Sequence, residues 1–311
     1  MASIFHEGKR RFPGNVVAGP ELTANTIPEL PPLSRARGRA PLLAALAAYA
    51  VLFAPTAAGL VSQWWSDPDV GHGLLLVPVA LWMAWRAGIA PGARPDQGVG
   101  VFLLVVAVLL RVAGSLAAEL FTQRLAMFLA GCGLVAYVAG WRQLLRWWLP
   151  VALLALSIPL PAVLLDQLAL PLQLQASRMG AALLQWRDVP VLLAGNVINI
   201  PGHQLFVTEA CSGLRSLVAL LSMGLLLGGL WLRSPSSRAV LLALAVVVAI
   251  GVNGIRVFLT GFLVYFVSPE MGEGFMHTTE GWLLFVVSLG TLGLATWAMS
   301  ALEPERFATR G

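Results

Sequence analysis

Residues 239–262 read AVLLALAVVVAIGVNGIRVFLTGF, a run of 24 positions in which Arg256 is the only charge. About 20 such residues suffice for a helix to cross the ~30 Å of hydrocarbon in a bilayer. Seven further apolar runs, at 41–61, 72–86, 98–116, 124–140, 147–165, 212–232 and 281–300, repeat the pattern, the second being short. The spacing predicts an all-α polytopic membrane protein, a bundle of about eight transmembrane helices. The one long interruption is 166–210. Its part 173–186, with Leu174, Met179, Leu183 and Leu184 beside Arg178 and Gln185, predicts an interfacial amphipathic helix.

Composition agrees with the runs. Hydrophobic residues make up 58% of the 311 and charged residues 11%, less than half the ~25% of a soluble domain. Mean hydropathy is +0.80. No soluble core absorbs that much apolar surface, so a soluble enzyme is excluded, and with it a disordered or collagen-like chain. No internal repeat suggests the inverted halves of a secondary transporter.

The net charge of +5 and pI near 10 would suggest nucleic acid in a soluble protein. Here all the basic residues except Lys9 are Arg, and most sit in gaps between apolar runs, where they set topology and meet lipid headgroups. The tail, 86–97, 141–147, 231–238 and the C-terminus together hold 14 of the 20 basic residues. The opposite loops, 62–71 and 266–280, carry instead Asp67, Asp69, Glu270, Glu273 and Glu280. The positive-inside rule therefore predicts both termini in the cytoplasm. Residues 1–40 read as a flexible basic cytoplasmic tail and 301–311 as a short cytoplasmic one, with the membrane domain at 41–300. A cleavable signal peptide does not fit, because no apolar core begins before Pro41.

With that orientation, three polar segments fall on the outer face. Thr208-Glu209-Ala210-Cys211-Ser212-Gly213-Leu214-Arg215-Ser216 opens the sixth run. Asn253-Gly254-Ile255-Arg256 lies near the outer end of the seventh, and Gly274-Phe275-Met276-His277-Thr278-Thr279-Glu280-Gly281 precedes the eighth. A thiol, a guanidinium and an imidazole thus reach one membrane face. Cysteine attacks as thiolate, and a helix N-terminus or a nearby cation favours that form. An imidazole can take the thiol proton and later give one to a leaving amine. An arginine at this depth is costly without a partner or a task, and Arg256 could stabilise the thiolate or an oxyanion.

These motifs resemble the exosortase/archaeosortase family. The early run Gly71-His72-Gly73-Leu74 to Pro78, then Leu81-Trp82 and Trp85-Arg86, is also similar to the family's first half, although Gly71 stands where Ser is expected. The resemblance covers roughly 41–300. It implies a bacterial PEP-CTERM-type sorting transpeptidase, a membrane-embedded cysteine peptidase of the cytoplasmic (inner) membrane with its site on the outer side. Cys211 would be the nucleophile, Arg256 the family's arginine and His277 the general acid/base, with Arg215, Glu209 and His72 in supporting places. The partner it implies is the C-terminal sorting-signal helix of a secreted protein. The acyl-enzyme would be resolved by an acceptor amine or water. No nucleic acid is expected.

Other residues have blander readings. Cys132, in Ala130-Gly131-Cys132-Gly133, sits among small residues that let helices approach. His203 reads as a loop residue and His6 as part of the tail. No HExxH or CxxC spacing occurs, so neither a metal nor another cofactor is expected. The eleven Trp mostly fall at expected interfaces. The competing class is a transporter or polysaccharide-export component, against which the lack of repeats and of mid-membrane charge argues.

Overall fold

The computed structural model describes residues 39–67, 70–207, 213–272 and 274–303, the side chains of 39, 162 and 271–280 excepted. Ten helices follow in chain order: α1 (Arg39–Ser66), α2 (Gly73–Ala87), α3 (Gln97–Leu116), α4 (Leu120–Ala139), α5 (Trp141–Arg146), α6 (Trp148–Leu156), α7 (Ala162–Trp186), α8 (Leu214–Trp231), α9 (Pro235–Phe266) and α10 (Gly274–Leu302). Between α7 and α8 stand three short strands, β1 (Leu192–Ala194), β2 (Val197–Ile200) and β3 (His203–Phe206). The chain divides into two compact units, 1–48 and 49–311; the first contributes the opening turns of α1 and the second holds all other elements.

Among the described residues, six helices are long and apolar enough to cross a membrane, and α2 is a shorter apolar one. The protein is a polytopic helical membrane protein. Its lipid-facing surfaces are those a soluble protein would bury. On α3, for example, Val101, Phe102, Val105, Val108, Leu109 and Val112 all point outward. What α3 buries instead is a seam of small residues. Gly100 and Ala107 press on α4, where Ala126, Ala130 and Gly133 answer them, and a Cβ on Gly100 would stand 2.6 Å from the Tyr137 Cα. Close backbone approach replaces the hydrophobic effect where lipid is the solvent. Each of these helices starts on a side-chain cap: Asp96 Oδ1 accepts the Val99 N–H at 3.1 Å, and Glu119 accepts those of Phe121 and Thr122.

Three departures from the sequence expectation matter for the site. The run 147–165 is not one span, because α6 ends at Leu156 and the chain turns through Ser157–Pro161, where Pro159 and Pro161 cannot continue a helix. The amphipathic segment 173–186 is the second half of α7, a 25-residue helix that keeps Pro171 in its interior. The stretch after it folds into an antiparallel sheet in the order β1-β2-β3, joined by two-residue turns at Gly195-Asn196 and Pro201-Gly202.

This sheet packs on α7 and on the last third of α9, enclosing a core of Leu184, Val189, Ile198, Ile200, Val257 and Val264. Helix α9 has 32 residues, which at 1.5 Å each is roughly 48 Å. That exceeds the ~30 Å hydrocarbon by several turns. Its last third is the part clasped by α7 and the sheet, and the three together form a lobe.

Candidate active site

The start of α8 is fixed by a glycine. Gly213 takes a left-handed conformation (φ 78°, ψ 2°) as the residue before α8, and a Cβ there would lie 2.6 Å from the Asn253 Cγ. Only glycine supplies both the backbone angle and the space. The chain entering α8 is thereby pressed onto the buried Asn253 of α9. Three residues on along α9, the Arg256 guanidinium lies across α10 at Gly281, where a Cβ would stand 3.2 Å from both Cζ and Nη2. Asn253, Arg256 and Gly281, with Ser216 and Ser288, line a crevice of about 20 Å³, room for little more than one water.

The elements carrying the three sequence motifs therefore meet at α9. Cys211 and Glu209 themselves lie outside the described residues. His277 falls within α10, one turn before Gly281, and its side chain is likewise outside them. Arg256 is brought to the junction directly.

Arg215 and His72 meet elsewhere, on the walls of a cavity of about 480 Å³. Apolar side chains from the Ser157–Pro161 turn and α8, among them Ile158, Leu160 and Val218, make up most of its surface, and Asp166 of α7 adds a carboxylate. The site end of α1 is anchored here as well. The Trp64 Nε1–H donates to the Ser157 carbonyl at 3.0 Å, so this tryptophan is a buried strut, whereas Trp65 beside it is 83% exposed. His72, in the turn before α2, is half-buried. Burial pushes its imidazole below the ordinary value of 6.5, and a hydrogen bond to the Leu156 carbonyl offsets part of that shift. An imidazole, a carboxyl group and a guanidinium thus rim an otherwise greasy hollow next to the first turn of α8.

Asp166 and Ser288 were not singled out by sequence, and Ser216 entered only as the last residue of the motif that opens α8. Asp166 follows directly on an apolar run, and only the turn at 157–161 brings it round to face α8. Among the described residues no group of three or more His, Cys, Asp or Glu is placed to hold a metal ion.

The family model for transmembrane exosortase (Exosortase_EpsH) matches residues 64–294, about three quarters of the chain. The chain belongs to the transmembrane exosortase family. The exosortase match begins at Trp64, the strut of α1, and ends within α10, so it takes in the cavity, α8 and the Arg256–Gly281 contact. Neither a curated protein nor a solved structure matches the chain.

Proposed function

We propose that this exosortase-family protein is a cysteine transpeptidase that cleaves C-terminal sorting signals of secreted proteins at the outer face of the cytoplasmic membrane. The supporting observation is the meeting of three motif-bearing elements at α9, through Gly213 on Asn253 and Arg256 on Gly281. On this reading both termini are cytoplasmic, the remaining crossings being supplied by α2 and by the α5–α7 stretch, and the lobe of α7 and the sheet is extracytoplasmic.

The chemistry runs through an acyl-enzyme. His277 takes the Cys211 proton, and the thiolate sulfur attacks the scissile carbonyl carbon. The C–N bond breaks, and the leaving amine departs with the proton that His277 returns. The anchor helix is released and the secreted protein is held as a thioester. An acceptor amine or water then gives a proton to His277 as it attacks the thioester carbonyl, the C–S bond breaks and the thiolate–imidazolium pair is regenerated. Arg256 donates to the oxyanion of each tetrahedral intermediate, where a fixed cation at low dielectric contributes most. The hollow beside Arg215 seats the substrate residues flanking the scissile bond, with His72 and Asp166 at its rim.

The test is co-expression with a secreted reporter bearing a C-terminal apolar helix and basic tail encoded near this gene. Processing that depends on Cys211 supports the reading. Processing unchanged in Cys211→Ala removes it.

A further inference from the structure

At the other end of the bundle lies a second, larger cleft. Helix α2 starts beside the His72 cavity and runs 15 residues, or about 22 Å, to Ala87. The segment that follows, 88–97, is therefore on the face opposite the candidate active site. Together with 139–143 it encloses an open cleft of about 890 Å³.

The cleft is built from fixed parts. Gln143 is 1% exposed, and its amide accepts the Ala90 N–H at 2.8 Å while donating to the Gly88 carbonyl at 3.1 Å. The Trp147 indole and the Arg146 guanidinium hold the Gly88 and Ala87 carbonyls at 3.2 and 3.1 Å. The Asp96 N–H donates to the Ala136 carbonyl at 3.1 Å. Gly140, at φ 86°, lets the Arg94 carbonyl press so closely on it that a Cβ would overlap that oxygen. Two loops that could have been floppy connections are stapled into one surface.

Its charge is net positive. Arg94 and Arg142 both line the cleft, and among the described residues neither guanidinium has a hydrogen-bond or ion-pair partner. The one carboxylate among the lining residues, Asp96, is committed to capping α3 through Val99. The first turn of that 20-residue helix, beginning at Gln97, borders the cleft, and its dipole is what the Asp96 carboxylate meets. Trp141 supplies an amphipathic ring at the rim, suited to headgroup depth. Two planar forks on the lining of one braced hollow suit an oxyanion such as phosphate, which accepts a guanidinium fork in bidentate fashion.

We infer that the cleft between residues 88–97 and 139–143 binds a phosphate group through Arg94 and Arg142. The phosphate could be carried by a lipid headgroup or by a soluble phosphate ester. The site is independent of the chemistry proposed for Cys211.

The test uses the full chain in nanodiscs at constant ionic strength. One arm replaces phosphatidylcholine stepwise by phosphatidylglycerol. The other titrates glycerol 3-phosphate into phosphatidylcholine discs. A saturable rise in Tm in either arm, weakened on the order of tenfold in midpoint in Arg94→Gln/Arg142→Gln, supports the site. A response confined to the lipid arm identifies a headgroup, and one confined to the soluble arm identifies a free ester. Lys9→Gln/Arg10→Gln removes two charges from the tail and should respond as wild type. An equal loss in that tail variant, an unaltered response in the Arg94/Arg142 variant, or no saturable rise in either arm would overturn the inference. Should the double variant fail to fold, each single variant is read by the same criteria.

Discussion

Gly281 leaves bare the patch of α10 on which the Arg256 guanidinium rests, with 3.2 Å between the position of a Cβ and the Cζ. That spacing is tight enough that one methyl must push the guanidinium aside by a few tenths of an ångström, and a branched side chain must displace it. Gly281→Ala should reduce processing several-fold and Gly281→Val by on the order of tenfold or more, if Arg256 aligns an oxyanion. The Tm should hardly change, since a bare helix surface is filled and no core is emptied. Equal processing by Gly281→Val and wild type would separate Arg256 from the reaction.

Arg256→Lys keeps the charge and loses the fork. If the guanidinium donates to an oxyanion, processing should fall by roughly 10²–10³, the cost of one lost donor. If it only reaches the headgroups, lysine will serve as well. The measurement is the initial rate of reporter cleavage in membranes, normalised to inserted protein.

Cys211→Ala should leave reporter uncleaved with the enzyme still inserted. Cys132 lies in α4 next to Gly133, which packs on Leu104 of α3, so Cys132→Ala should cleave at the wild-type rate. Mass spectrometry of the reporter's C-terminus reads both outcomes.

Gly213→Ala meets two obstacles. A left-handed backbone costs a Cβ-bearing residue roughly 1–2 kcal/mol, and the methyl also collides with Asn253. Adding Asn253→Gly removes the collision and leaves the backbone cost. The double variant should therefore lose less Tm than the two single losses summed. Strict additivity of the two Tm losses would refute the contact.

Acid should act on the His72 hollow. Because burial lowers the imidazole pKa, the folded protein binds this proton less readily than the unfolded chain. The contribution to stability is thus complete above the unfolded value of 6.5 and is lost as pH falls through the lower folded value. Between about pH 7 and pH 5, Tm should drop further in wild type than in His72→Gln. Parallel curves would show that His72 stays solvated.

The spans were legible where length and polarity alone decide. Residues 98–116 and 239–262 admit no reading but helices in lipid, and α3 and α9 cover them. The motifs at Cys211, Arg256 and His277 stood out because polar residues are costly beside long apolar runs. The break after Leu156 was masked by its own apolarity: Leu160 and Ala162 keep the run going in hydropathy, while Pro159 and Pro161 end the helix. The sheet escaped because its strands are three or four residues long, too short for alternation to register against Leu-rich surroundings. Asp166 was illegible for a different reason, since its place in the same hollow as Arg215 depends on the direction in which α7 leaves that turn.

The length of α9 has one more consequence. Arg256 stands 21 residues beyond Pro235, about 32 Å along the helix, close to the full thickness of the hydrocarbon. On the proposed reading, with Pro235 at the cytoplasmic water boundary, a helix of that length would work as a depth gauge. Chemistry carried out at Arg256 would take place at one height above the bilayer whatever the substrate. A client would then be chosen by how many residues separate its scissile bond from the end of its own anchor, and two residues inserted at that junction would move the bond out of reach even with every side chain of its motif intact.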